Sequence, residues 1–292
     1  MSRVDLASTR RAAPTPGPQA SLARELVERA LRSCDAALGA WEAGSAAFGR
    51  ADLHSDLDLG VLCVDGRGAE VLDAIEAELR SVAPELDLWD RPVAEFGSQR
   101  FWQVRGDQAT APFCMVDASV MGIDADASSW AELLTPERHG RALVIHDPEG
   151  VLERAITAAA FDAAAHRERI AVELDRIVRR RTLFGGFGRK ELGRDRQLDA
   201  HWIHQAMVLA PLVSLLGMVH RPLRFDFAMR YLHDELPAEV VERLVPITEP
   251  GIDGVAAAME LGVAWMDELL AQVEVEALPI EDHAAQMRSS FG

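Results

Sequence analysis

Six short segments with two-residue alternation crowd the first half of the chain, and none follows Pro148: AWEAGS, DLDLGVLCV, LDLWDRPV, RFWQVRG, FCMVDASVM and ALVIHD. Alternation at this period marks strands whose two faces meet different surroundings. A helical stretch, AEVLDAIEAELRSV, is inserted after the second segment. Another begins at Ser21, where Leu22, Leu26, Val27, Ala30, Leu31 and Cys34 recur at three- and four-residue steps. Ser21 is placed to cap that helix. The pattern predicts a mixed sheet with helices packed on it, ending near Asp147-Pro148.

Beyond Pro148 the texture changes to long helical stretches. Ile170, Leu174, Ile177 and Val178 share one helical face, as do Leu209, Leu212, Val213, Leu216 and Val219. An antiparallel helical bundle is expected, with a kink at Pro211. The fold class is therefore α+β, and a chain of 292 residues suits two cores. The expected layout is a disordered leader at 1–20, a sheet domain at 21–148, a helical domain at 149–280 and a tail at 281–292.

Composition narrows the function. A formal charge of -17 at pH 7 works against a nucleic-acid footprint, which needs clustered positive charge, and suits a cationic small substrate. No apolar run approaches the ~20 residues of a membrane span, so no membrane partner is expected. Cys34, Cys63 and Cys114 are too few and too widely spaced for a disulfide framework or a zinc knuckle. Reduced core thiols and a cytoplasmic location follow as expectations.

The stretch GSAAFGRADLHSDLDLG, residues 44–60, concentrates the chemistry. In a strand, Asp56 and Asp58 project from one face while Leu57 and Leu59 bury on the other. Two carboxylates about 5 Å apart at an effective dielectric of about 20 repel by roughly 3 kcal/mol, a cost that a divalent cation between them reverses. Hard oxygen ligands of this kind suit Mg²⁺. Gly44 and Ser45 precede the pair at a turn, where glycine lets a phosphate approach the backbone and the serine hydroxyl can hold it. Arg50 and Ser55 in the same loop add a positive charge and a second hydroxyl.

Together these residues resemble the signature of the polymerase-β-like nucleotidyltransferase superfamily: Gly-Ser, then about ten residues, then two aspartates alternating with hydrophobic residues. The string GSAAFGRADLHSDLDL is similar to the form in its aminoglycoside and small-substrate adenylyltransferase branches. The resemblance implies a third carboxylate on a neighbouring strand, and Asp117 is the one charged residue of FCMVDASVM. Asp56, Asp58 and Asp117 are thus the catalytic and metal-binding candidates, with Asp117 either a metal ligand or the base toward the acceptor. Asp87, Asp90, Glu95 and Asp107 are rivals at strand edges or turns. The activity implied is Mg²⁺-dependent transfer of AMP, or another nucleoside monophosphate, from an NTP to a hydroxyl of a small molecule, an aminoglycoside-like antibiotic among the candidates.

Cationic side chains from the second domain are expected on the triphosphate. The most basic segment, DRIVRRRTLFGGFGRKELGRDRQ, holds Lys190, the chain's only lysine, and Arg194. By similarity of position these two join Gly44, Ser45, Arg50 and Ser55 as nucleotide-binding candidates. The alternative for Lys190 and Arg194 is a place among exposed ion pairs with neighbouring Glu173, Asp175 and Glu191. His201 and His204 could share a metal, but no third ligand pattern accompanies them. Tyr231, the only tyrosine, is a candidate for the acceptor pocket. A protein-modifying or antitoxin-like transferase, or a nucleotide-binding-only protein, is the competing reading. The long helical half offers a partner surface and allows a homodimer. A sugar-nucleotide glycosyltransferase would also use an Asp-x-Asp pair, though here the pair follows Gly-Ser too closely.

Overall fold

The computed structural model describes residues 17–93, 97–105, 113–124, 130–248 and 250–291, which divide into two compact units, 17–161 with 287–291 and 162–286. Residues 1–16 of the expected leader lie outside the described residues, as do Glu95 and Asp107.

The first unit holds the strands β1 (Ala37–Glu42), β2 (Leu57–Cys63), β3 (Asp87–Val93), β4 (Gly97–Arg105), β5 (Phe113–Gly122) and β6 (Leu143–His146). Among the described residues they form one sheet in the order β3-β4-β5-β2-β1-β6, in which β2 and β5 run parallel and the other neighbours antiparallel. Helices α1 (Pro18–Ser33) and α3 (Gly68–Val82) cover one face; α2 (Gly44–Ala47) is a single turn after β1. Leu26, Leu31, Ile75 and Leu79 from the two long helices share a buried core with Leu57, Val61, Val116, Ala118 and Trp102. Helix α1 starts at Pro18, three residues before the expected cap, because proline suits the first helical turn. Ser21 lies inside that turn and its hydroxyl donates back to the Gly17 carbonyl at 3.1 Å.

The opposite face has a smaller second core built from Trp41, Leu62, Met121, Trp130, Leu134 and Leu152. Leu152 belongs to α5 (Val151–Ala158), which follows the single turn α4 (Pro136–His139). The sheet unit therefore continues past the expected boundary at 148: α5 buries Leu152 against the sheet and is part of this unit.

The second unit is helical. It runs through α6 (Ala163–Phe184), α7 (Phe187–Leu192), α8 (Gln197–His204), α9 (Ala210–His220), α10 (Leu232–Glu235), α11 (Ala238–Thr248) and α12 (Gly251–Leu270). Asp162 caps α6 by accepting from the Ala165 amide at 2.9 Å. The irregularity expected at Pro211 takes the form of a π turn at Gln205–Leu209 between α8 and α9. Proline has no amide proton for the preceding turn, and widening that turn absorbs the defect. Against the expectation from the sequence, the run Gln197–His220 is long and apolar enough to cross a membrane by length and composition, with mean hydropathy 1.6. Its most apolar stretch is 56% buried within the protein, as for a core helix.

A buried charge cluster organises one end of this unit. Glu235 lies 3.1 Å from Arg221 and 3.0 Å from Arg224, with the three side chains nearly inaccessible. Arg221 also donates to the carbonyls of Ala228 and Arg230. Those carbonyls flank a segment in which Ala228 and Tyr231 hold left-handed backbone, φ 47° and 59°.

Burial depresses the pKa of His204, His220 and His283 below the ordinary 6.5. All three belong to the helical unit. The neutral form is the one the fold favours, so the unfolded chain binds protons first as pH falls through 6.5. Stability is thus full above that pH and declines below it until the folded-state pKa values are passed. A series of urea midpoints at pH 8, 7, 6 and 5 should fall monotonically; a flat series would show that the three rings do not govern acid stability.

The expected tail is instead helix α13 (Ile280–Phe291). Residues 287–291 belong to the sheet unit. There Arg288 donates through Nε to the buried carboxylate of Glu137 at 2.7 Å, and Phe291 meets the Phe48 ring edge-on at 6.4 Å.

Candidate active site

The parallel register of β2 and β5 sets Asp58 directly beside Asp117. Leu57, Leu59, Val116 and Ala118 are buried on the helix-covered face, so alternation turns both carboxylates to the other face, where they are half-buried. Neighbouring strands stand about 4.8 Å apart, which places two like charges close together. Asp56 lies just before β2 and its Oδ1 accepts from the Met115 amide on β5 at 2.9 Å. The Asp117 Oδ1 accepts from the side-chain amide of Gln99 at 2.7 Å. Gln99 was not anticipated from the sequence; it faces Ser119 across β4 and β5 and reaches diagonally to Asp117.

The Gly44 turn closes on the same carboxylate. Gly44 adopts φ +58°, and a Cβ there would sit 1.7 Å from the Asp58 Oδ2. No other residue fits. The Ala43 amide donates to the Asp58 carbonyl at 2.8 Å, and the Arg50 amide to the Ser45 carbonyl at 2.8 Å, so the loop folds back over the strand end. The Arg50 guanidinium stands over the Phe48 ring, 5.4 Å from its centroid. Ser55 is occupied locally: its hydroxyl accepts from the Asp52 amide at 2.8 Å and donates to the Asp52 carboxylate at 3.2 Å. It shapes the loop.

Next along the same face as Asp58, a Cβ on Gly60 would lie 2.1 Å from the Trp41 ring. The indole thus walls off the inner end of the carboxylate row. The buried carboxyl of Glu42, at the end of β1, has its pKa pushed up by burial against the pull of Arg24, 2.9 Å away. Burial, with the charge of Asp56 beyond it, also raises the Cys114 thiol to about 11. That thiol is therefore protonated at neutral pH and no nucleophile.

Among the described residues no group of three His, Cys, Asp or Glu side chains forms a ready-made metal site. The expected triad is accordingly two in-register carboxylates with Asp56 held at the Met115 amide. This donor set still fits Mg²⁺, which characteristically takes one or two carboxylates and completes its shell with phosphate oxygens and water. Of the rivals, Asp90 pairs with Arg100 and Asp87 is exposed at the start of β3.

Lys190 and Arg194 lie in the helical unit, and the structure does not bring them into one unit with the carboxylates. Lys190 is exposed, its Nζ 5.9 Å from the Phe187 ring centroid, and Arg194 pairs with Glu191 at 2.7 Å. Among the described residues His201 and His204 belong to no group of three metal-ligating side chains, and Nε2 of the buried His204 bonds to the Ile247 carbonyl at 2.8 Å.

No protein-family model matches the chain, and no curated protein does. Among solved structures it is similar to a nucleotidyltransferase-like protein from Exiguobacterium sibiricum 255-15, at 12% identity over 86% of this chain and 74% of that one, with a TM-score of 0.36. It is also similar to a chain of the E. coli MS115-1 CdnC:HORMA-deltaN complex, at 16% identity over 86% of this chain and 89% of that one, with a TM-score of 0.24. Both likenesses are in chain course at low sequence identity.

Proposed function

We propose that this protein transfers a nucleoside monophosphate, AMP foremost, from an NTP to a hydroxyl of a small molecule and releases pyrophosphate. The observation that carries the reading is the Asp58–Asp117 pair, in register on adjacent parallel strands, with Gly44 pressed against Asp58. Two half-buried carboxylates side by side repel each other and call for a cation. A glycine turn beside them leaves its backbone open to a polyphosphate.

In this reading Asp58 and Asp117 would hold Mg²⁺, and Gly44, Ser45 and Arg50 would receive the phosphates. Bound there, the ion would neutralise the triphosphate and the departing pyrophosphate. The acceptor oxygen attacks the α-phosphorus; the new O–P bond forms as the bond to the β-phosphate oxygen breaks, and the proton of the hydroxyl passes to Asp117. Gln99 is a positioning residue for that step. Its amide donates to Asp117 and so fixes the carboxylate's rotamer and favours its ionised form.

Gln99→Leu should therefore lower kcat by about 10- to 10²-fold, the effect of losing one hydrogen bond of about 1.5–3 kcal/mol to a charged group. It should also move the acidic limb of the kcat–pH profile upward, because the carboxylate gains basicity. Gln99→Asn, with a shorter reach, should show the same sign. An unmoved acidic limb would leave Gln99 with a purely structural role. The transfer reading itself is tested by following pyrophosphate release from ATP, GTP, CTP and UTP with Mg²⁺ and a panel of hydroxylated acceptors. Failure of every combination would remove it.

A further inference from the structure

Four strands of the sheet place four side chains in one row. Asp58 pairs with Asp117, Asp117 with Phe101, and Phe101 with Trp89. All four project to the face that α1 and α3 leave uncovered. The Trp89 and Phe101 rings are 5.2 Å apart at 18°, the geometry of an offset stack. Trp89 covers one face of Phe101, and the opposite face looks along the row toward Asp117. Trp89 itself is 60% exposed on the edge strand β3, an unusual place for the largest side chain unless it serves a contact.

We propose that Phe101, backed by Trp89, is the acceptor shelf, and that the acceptor is a hydroxyl-bearing small molecule with a planar aromatic ring. The proposal rests on the transfer reading and adds the side from which the acceptor comes and the chemistry that selects it. The Gly44 turn meets Asp58 from the β1 side, so the polyphosphate lies toward β1 and the space toward β4 and β3 remains for the acceptor. Asp117 is short, and strands are about 4.8 Å apart. A ring lying above it becomes the third in the pile, one strand spacing from Phe101 and over the carboxylate that takes the proton.

Neighbouring groups favour a neutral ring over an ammonium. Arg91 follows Trp89 on the same face of β3, has no ion-pair partner among the described residues, and would repel a cation. Gln103 flanks Phe101 on β4 and offers an amide to the ring's polar edge.

The full-length protein should be titrated with two matched glycosides, 4-nitrophenyl β-glucoside and methyl β-glucoside, which share the same hydroxyls and differ in the ring. The nitrophenyl compound should bind about tenfold more tightly, the scale of one aromatic stack. Phe101→Ala should erase the difference, Trp89→Ala should reduce it severalfold, and Phe101→Tyr should restore it. The affinity for a non-hydrolysable ATP analogue with Mg²⁺ should not change in any of them. Equal binding of the two glycosides by the native protein, or an unaltered preference in Phe101→Ala, overturns the shelf. So does a loss of ATP-analogue affinity in Phe101→Ala, which would put the donor's base there. Because binding is read directly, ring-dependent binding in a protein that transfers nothing sinks the transfer reading and leaves the shelf.

Discussion

Asp58→Asn should reduce kcat/KM for nucleotidyl transfer by at least about 10²- to 10³-fold, the equivalent of the several kcal/mol that a metal's charge supplies at a developing phosphoryl centre. The substitution keeps the shape and removes one negative charge. A second effect of opposite sign should accompany it. Asp58 and Asp117 face each other across β2 and β5 without an intervening cation in metal-free buffer, and like charges directly opposite destabilise a sheet. Relieving that repulsion should raise the melting midpoint, by about 2–4 °C for each kcal/mol in a protein of this size. Activity lost together with stability gained is the signature of a functional carboxylate pair. Pyrophosphate release and thermal melts with and without Mg²⁺ check both arms. Retained transfer, or a melting midpoint that falls in metal-free buffer, would show that Asp58 is an ordinary structural residue.

The largest loss of stability should come from Glu235→Gln. Removing the carboxylate leaves the guanidinium groups of Arg221 and Arg224 buried beside each other without their counter-charge. Breaking a buried pair in this way costs about 3–5 kcal/mol, a large share of the 5–15 kcal/mol that typically holds a domain together. Replacing all three residues by apolar ones of similar volume should cost less than the single change, since no charge is left stranded. It should not be neutral, because Arg221 also ties down the Ala228 and Arg230 carbonyls in a segment with left-handed backbone. Urea denaturation of the single and triple variants measures the contrast. A triple variant as unstable as Glu235→Gln would mean that the hydrogen bonds to the loop, and not the charge balance, carry the effect.

The sheet was legible in the sequence where its segments alternate, as in LDLWDRPV and FCMVDASVM: β3 and β5 start within a residue of where the pattern put them. Asp117 was legible for the same reason, as a lone charge in an apolar strand. Gln99, Phe101 and Trp89 were not, because their meaning depends on which strands are neighbours. The order β3-β4-β5-β2 cannot be read from any one segment, yet it alone aligns them with the aspartates. The same non-local pairing explains the misplaced boundary. Pro148 looks like punctuation, but Leu152 four residues later is drawn back by Trp41 and Leu62. The buried charge cluster was hidden as well. Neither RPLRFDF nor HDEL alone shows that Arg221 and Arg224 share the Glu235 carboxylate inside the helical unit.

Residues 287–291 return to the sheet unit after an excursion of 125 residues through the helical one. On the ribosome, the sheet unit is therefore completed only after the helical unit has been made. Until Arg288 emerges, its ion pair with Glu137 is missing, and the loop around Phe48 lacks the ring of Phe291. A nascent chain should hold this loop unfinished while the helices assemble, so the turn around Phe48 gains its last aromatic contact only after the helical unit has been made.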